Sequence, residues 1–196
     1  MRTHAHRFFP RLILCLGIAF ACLPTPETRA ADVEPTPIQA EVILLQDLAE
    51  TQQDESLKQL VELLKNLPAD AAPEDRREAL EAVIAMYIST GHLQEARKLN
   101  GDLAALGSRN HDDRANAMTL NYQAVLLREE GKLDAAARVI EQALLITKRV
   151  NEKKLVSDVN STASSIYSAL GNFQPALQHQ LVAIDSLEEG ECGHVI

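Results

Sequence analysis

The 196-residue chain has no tryptophan, and only three tyrosines and four phenylalanines. So few aromatics leave no stacking platform for nucleic-acid bases. Basic residues are also in deficit, with 19 Lys and Arg against 28 Asp and Glu, a formal net charge of −9. That sign argues against nucleic acid or an anionic membrane surface as the main partner. The eight glycines form no phosphate-cradling run, and no segment alternates in the manner of a strand. The three cysteines are Cys15, Cys22 and Cys192, too dispersed for a disulfide framework.

What is present begins with a leader. Arg2, Arg7 and Arg11 precede an uncharged apolar run from Leu12 to Leu23, broken by Pro24 and Pro26. The run is shorter than the ~20 residues a spanning helix needs. Thr28-Arg29-Ala30 ends on a small residue, so residues 1–30 are expected to be a signal peptide cleaved before Ala31. A lipoprotein reading through Cys22 is weaker, because Ala19 stands where leucine is expected. The leader looks bacterial, which makes the expected destination periplasmic or secreted, with no membrane association after cleavage. Cleavage removes four arginines and Glu27 and moves the net charge from −9 to −12. Cys192 is then the sole thiol, free or bridging two chains.

Residues 31–37 read as a polar linker, residues 38–191 as one helical array, and residues 192–196 as a tail. Within the array, Gly91, Gly131 and Gly171 recur every forty residues. Four residues before each glycine stands Tyr87, Leu127 or Tyr167, and two after it Leu93, Leu133 or Phe173. Five after it comes Ala96, Ala136 or Ala176, and twelve after it Leu103, Ala143 or Ala183. A degenerate earlier copy puts Thr51 in the glycine column, with Ser56, Leu60, Leu63 and Leu64 downstream and Pro68 ending its helix. A fixed period of this length marks a stacked array.

The large residue before the glycine and the alanine after it resemble the tetratricopeptide repeat (TPR) family, from about Ile38 to Glu189. The family repeat is usually about 34 residues, so forty implies helices a turn longer. The chain is similar to the long-helix, kinesin-light-chain-like kind, as in input regions of bacterial GGDEF and sensor proteins. HEAT-like repeats share the period, but their proline and charge signatures are missing. The resemblance implies an all-α, right-handed α-solenoid of antiparallel helix pairs, about four repeats. Gln123 and Asn160 occupy columns that are usually apolar, and Asn100 replaces a large apolar residue.

Local signals place the helices. Thr36 caps a helix opened by Pro37, and Pro73 opens another with Glu74 and Asp75 at its positive end. Gly107 is expected to stop the fourth helix near Leu106. Asn110 or Asp112 caps the fifth, Asn151 the seventh and Asn172 the eighth.

The residues offer little chemistry. His111-Asp112-Asp113 reads as an acidic helix start rather than a metal site. Cys192 and His194 supply two donors where a structural zinc wants four. His92 and His179 read as surface residues. Ser161, Ser164, Ser165 and Ser168 have no base placed to activate them. Asn160-Ser161-Thr162 is a glycosylation sequon. No enzyme, cofactor or metal is expected.

In the TPR family the first helix of each pair lines the concave groove. The resemblance therefore implies a partner-binding face of Glu81 and Ala85, then Asn121, Tyr122, Val125 and Arg128, then Ser161, Thr162, Ser165 and Ser168. Only Asn121 and Arg128 suit the family's carboxylate clamp, so a chaperone-tail binder is not implied. Tyr122 and Arg128 are of types that dominate hot spots. Two functions follow: an exported module that binds a protein or peptide in its groove, or the sensory input region of a membrane signalling protein lacking its output domain. The apolar last helix, with Leu177, Leu181, Ala183, Ile184 and Leu187, is also expected to self-associate.

Overall fold

The computed structural model describes residues 34–150 and 152–191. The expected leader, the tail with Cys192 and His194, and the expected cap Asn151 lie outside them. Eight helices run in order: α1 (Pro37–Ala49), α2 (Gln53–Asn66), α3 (Pro73–Ser89), α4 (Leu93–Asn110), α5 (Asp113–Glu129), α6 (Leu133–Val150), α7 (Lys153–Ala169) and α8 (Phe173–Glu191). No strand occurs among the described residues. None of these helices is long and apolar enough to cross a membrane.

Three of the four hairpin turns are built by one repeated device. Gly91, Gly131 and Gly171 have φ of 78°, 74° and 77°. Their N–H groups donate to Ile88, Arg128 and Ser168, and the following residues donate back to Tyr87, Leu127 and Tyr167 at 2.7, 2.9 and 2.8 Å. This is the Schellman closure, which satisfies carbonyls the helix end would otherwise orphan. The glycine column and the large-residue column are thus two halves of one turn. His92 also packs on Tyr87, with ring centroids 5.8 Å apart.

The alanine column is the contact between paired helices. Ala96 and Ala136 are wholly buried, and Ala176 nearly so. In the degenerate first repeat Ser56 takes this place, wholly buried, its hydroxyl donating to the Leu45 carbonyl at 2.5 Å. The hydrogen bond is what lets a polar residue stand in an apolar column.

Helix starts follow the local chemistry. Thr36 and Gln39 form a capping box at α1. The Thr36 hydroxyl also donates to the buried Asp75 on α3 at 2.6 Å. Of the two caps expected for α5, Asp112 is the one used, accepting from Ala115 N–H at 3.0 Å.

One boundary differs. α4 does not stop at Gly107 but runs on to Asn110, and the left-handed residue after it is His111, φ 52°. A Cβ on Gly107 would lie 2.5 Å from Asn116 Oδ1 and 3.1 Å from Ala115 Cβ. Glycine is there for the close approach of α4 to α5, not for a turn.

Consecutive helices pack together, and so do α1 with α3, α3 with α5 and α5 with α7. The backbones of the second helices α2, α4, α6 and α8 do not approach one another as closely. A row whose members touch on one side and diverge on the other must curve, with the first helices inside. The described residues form an all-α solenoid of four helix pairs, with the first helices on its concave side.

A concave groove as the candidate functional site

The forty-residue period stacks equivalent positions of α3, α5 and α7 side by side. Glu81, Asn121 and Ser161 are one such column, and Ala82, Tyr122 and Thr162 the next. Where these helices meet lies an open hollow of about 360 Å³, lined by Glu81, Asn121, Tyr122, Ser161 and Thr162. Ala85, Ile88, Met118 and Val125 give it apolar walls, while Gln46, Lys154 and Asp158 stand around it. Its size is within the range of small-ligand pockets, about 300–1,000 Å³.

Tyr122 is the only aromatic residue of its column. It is 8% exposed, and its hydroxyl donates to the backbone carbonyl of Glu81 at 3.1 Å. Burial, reinforced by the Glu81 charge, holds the phenol well above its usual pKa. Tyr122 is therefore a neutral strut between α5 and α3 as well as a wall of the hollow.

Beneath the groove runs a chain of ion pairs. Arg77 Nη1 donates to Asp112 Oδ2 at 2.7 Å, and Arg77 Nε lies 3.8 Å from Glu81 Oε1. Arg114 donates to Glu81 Oε2 at 3.0 Å and to Glu152. The chain ties α3 to α5 and to the residue before α7. Glu81 is buried, and desolvation raises its pKa against the pull of Arg114 and Arg77. Glu78 alongside is raised for the same reason, again opposed by Arg77 and Arg114. Burial works against the Asp112 carboxylate too, but the Ala115 N–H and Arg77 outweigh it and lower the pKa. Burial likewise disfavours the Arg114 cation, yet Glu81 and Glu152 hold it firmly charged. Arg77, Glu78, Glu81, Arg114 and Glu152 line a second hollow of about 290 Å³, which shares Gln46, Glu81 and Lys154 with the first.

Several polar atoms in this region are buried without a hydrogen-bond partner among the described residues: Arg77 Nε, Arg114 Nε, Glu81 Oε1 and Asn121 Oδ1. An unpaired buried group costs about 1–3 kcal/mol. Each of these atoms is closed to solvent, so the cost is internal to the packing of α3 against α5 rather than a contact offered to the hollow.

Four of the six expected binding residues, Glu81, Asn121, Tyr122 and Ser161, meet in the hollow. Arg128 and Ser165 lie nearer the helix ends, where Arg128 donates to the Ser165 hydroxyl and to Glu129. Six residues rotate a helix by 600°, so Arg128 points about 120° away from Tyr122. The two do not share a face. The sequence reading missed Arg77, Arg114, Glu152, Lys154 and Asp158. Arg77 pairs with Asp112, and Arg114 with Glu81 and Glu152, at separations of 33 to 38 residues, off the period, while Lys154 and Asp158 pair four residues apart on α7.

Other candidates resolve into structure. Asp112 is spent on its cap and on Arg77, and no cluster of metal-ligating side chains occurs among the described residues. Asn160 is 5% exposed and donates to the Val156 carbonyl, so it offers no acceptor amide for glycosylation. His179 is not a free surface residue. It stacks on Tyr167 with centroids 5.4 Å apart, hydrogen-bonds Asn160 at 2.8 Å, and burial lowers its pKa. Asn100 donates to the Thr119 carbonyl at 3.0 Å, which accounts for a polar residue in that column.

The chain matches no family model and no curated protein sequence. Among solved structures it is similar to Bacillus thuringiensis PlcR in its apo form, with a TM-score of 0.58 and 16% identity. The match covers 80% of this chain and 62% of that one, so the chain spans less than two thirds of PlcR's length. At this identity the likeness concerns the fold, a helical repeat.

Proposed function

We propose that this chain is a TPR module of the long-helix, kinesin-light-chain-like type that binds a peptide or protein partner on its concave face. The observation that carries this reading is the open hollow at the meeting of α3, α5 and α7, walled by both polar and apolar side chains. Solenoids present such extended inner surfaces to partners. The leader of residues 1–30 supports an exported, periplasmic or secreted, location for the chain from Ala31 onward. The expected test is a crosslinking pull-down of the mature protein from its own periplasm, beside a Val125→Trp variant that fills the groove. A partner captured by the parent and lost from the variant, with helicity unchanged, supports the reading. Equal capture by both sinks it.

The exposed apolar face of α8 favours a second reading. Leu177, Leu181 and Leu187 are each more than half exposed. In a sensory input region of a diguanylate cyclase or sensor kinase, a further element would cover that face; in the module read alone, a second copy would. A contiguous reading frame encoding a membrane helix and an output domain would favour the sensory reading.

A further inference from the structure

The two ends of the array are open in matching ways, and the forty-residue period shows what each lacks. On α6, Ile140, Leu144 and Thr147 are all buried. Their equivalents on α8 are Gln180, Ile184 and Leu187. Gln180 is exposed, and the other two are 42% and 53% exposed. Both helices have their hairpin partner, α5 or α7. They differ in that α7 follows α6, whereas no first helix follows α8 among the described residues. The same columns on α4 show which way they face. Asn100, in the Gln180 column, donates to the Thr119 carbonyl on α5, and Gly107, in the Leu187 column, backs onto Ala115 and Asn116. The open strip of α8 is therefore shaped as the seat of a first helix.

At the other end the missing neighbour is a preceding pair. Ile84, Ala124 and Ser164 are buried on α3, α5 and α7, each of which follows a second helix. Their equivalent on α1 is Leu44, which is 67% exposed, and α1 follows no helix among the described residues. A repeat cannot bury its apolar faces alone and relies on the next to cover them. Each end of this array thus offers what the other lacks, a first helix at one and its seat at the other. A second copy of the chain carries both halves in the right register.

We propose that two copies stack head to tail, α1 of one seated on α8 of the other, continuing the solenoid through the same contact that joins α6 to α7. Leu44 then takes the position that Ser164 holds within the array, and Ile184 and Leu187 those of Leu144 and Thr147. Gln180 is placed to donate to the Gln39 carbonyl of the second copy, as Asn100 does to that of Thr119. The contact joins two different faces, so a pair keeps one free α1 and one free α8, and pairs grow into longer arrays as concentration rises. It does not depend on what the groove binds.

The test is sedimentation velocity of the mature chain from Ala31 at two concentrations, with reductant to keep Cys192 from linking chains. Salt of about 0.15 M screens the acidic copies from one another. The parent's mean mass is expected to rise with concentration, through pairs to longer species. Leu44→Glu and Ile184→Glu each spoil one strip, so each alone is expected to sediment as a monomer. Mixed in equal amounts they should form pairs and nothing longer, because the intact α8 of one still meets the intact α1 of the other. Thermal melts check that each variant folds, and Leu187→Glu replaces Ile184→Glu if the latter loosens α8. A monomeric parent overturns the proposal. So does a Leu44→Glu variant that associates like the parent, which would mean that α8 pairs with α8. A mixture that stays monomeric overturns it as well.

Discussion

The hydroxyl of Tyr122 reaches 41 residues back along the chain to donate to the Glu81 carbonyl. It fastens α5 to α3 at the floor of the groove, so the most prominent residue of the proposed binding face is also a structural tie. Tyr122→Phe should cost about 0.5–1.5 kcal/mol, the net worth of one hydrogen bond. Tyr122→Ala should cost roughly 3–5 kcal/mol, as for other buried aromatics. Denaturant midpoints of the two variants check this. A Tyr122→Ala protein as stable as the parent would make Tyr122 a surface residue. Binding experiments on the groove are therefore better read from Tyr122→Phe than from the alanine change.

The glycines should separate by mechanism. Gly131 has open space around its Cβ position but φ of 74°, so Gly131→Ala should destabilise by about 1–2 kcal/mol through backbone strain alone. Gly101 lies inside α4, also in open space and at ordinary φ, so Gly101→Ala should stabilise by about 0.5–1 kcal/mol. At Gly107 the obstacle is Asn116 and Ala115, and a residue larger than alanine should strain the α4–α5 contact by about 1–3 kcal/mol. Ala136→Leu should cost a similar amount by overpacking the hairpin. Thermal melts of the set give the signs; Gly101→Ala and Gly131→Ala moving together would contradict the assignment.

Two carboxyls should give opposite pH dependences. Asp112 has a lowered folded pKa, so its contribution is complete above its ordinary value near 3.8 and is lost as pH falls through the lower folded value. Glu81 has a raised folded pKa, so the folded state holds the extra proton and stability falls as pH rises from 4.5 through the raised value. The gap between parent and Asp112→Asn should therefore shrink at the acid end. The parent should lose ground to Glu81→Gln as pH rises across its window. Urea titrations at a series of pH values measure both, and parallel curves for all three proteins would refute the assignment.

The exposed face of α8 should drive concentration-dependent self-association. Phe173, Leu177 and Leu181 are 72%, 61% and 51% exposed on successive turns. Sedimentation velocity at two concentrations, with and without reductant, should show a dimer that Leu177→Glu with Leu181→Glu abolishes. The reductant arm reports any contribution of Cys192. A monomer at both concentrations would mean that this face is covered within the chain.

Much of the fold was legible in the sequence because it is made by contacts within a few residues. A Schellman turn needs only the residues from Tyr87 to His92, and a cap only those from Asp112 to Ala115. Such local devices, repeated every forty residues, set eight helices and their pairing. They also put Glu81, Asn121, Tyr122 and Ser161 on one inner face. The tertiary structure decided what depends on distances between helices. It alone joined Arg77 to Asp112 and Arg114 to both Glu81 and Glu152, paired Arg128 with Ser165 away from the hollow, and made Gly107 a contact point. Long side chains reach across a gap whose width no local pattern encodes, and so which charges pair, and which buried acceptors stay unpaired, follows only from how closely α3, α5 and α7 stack.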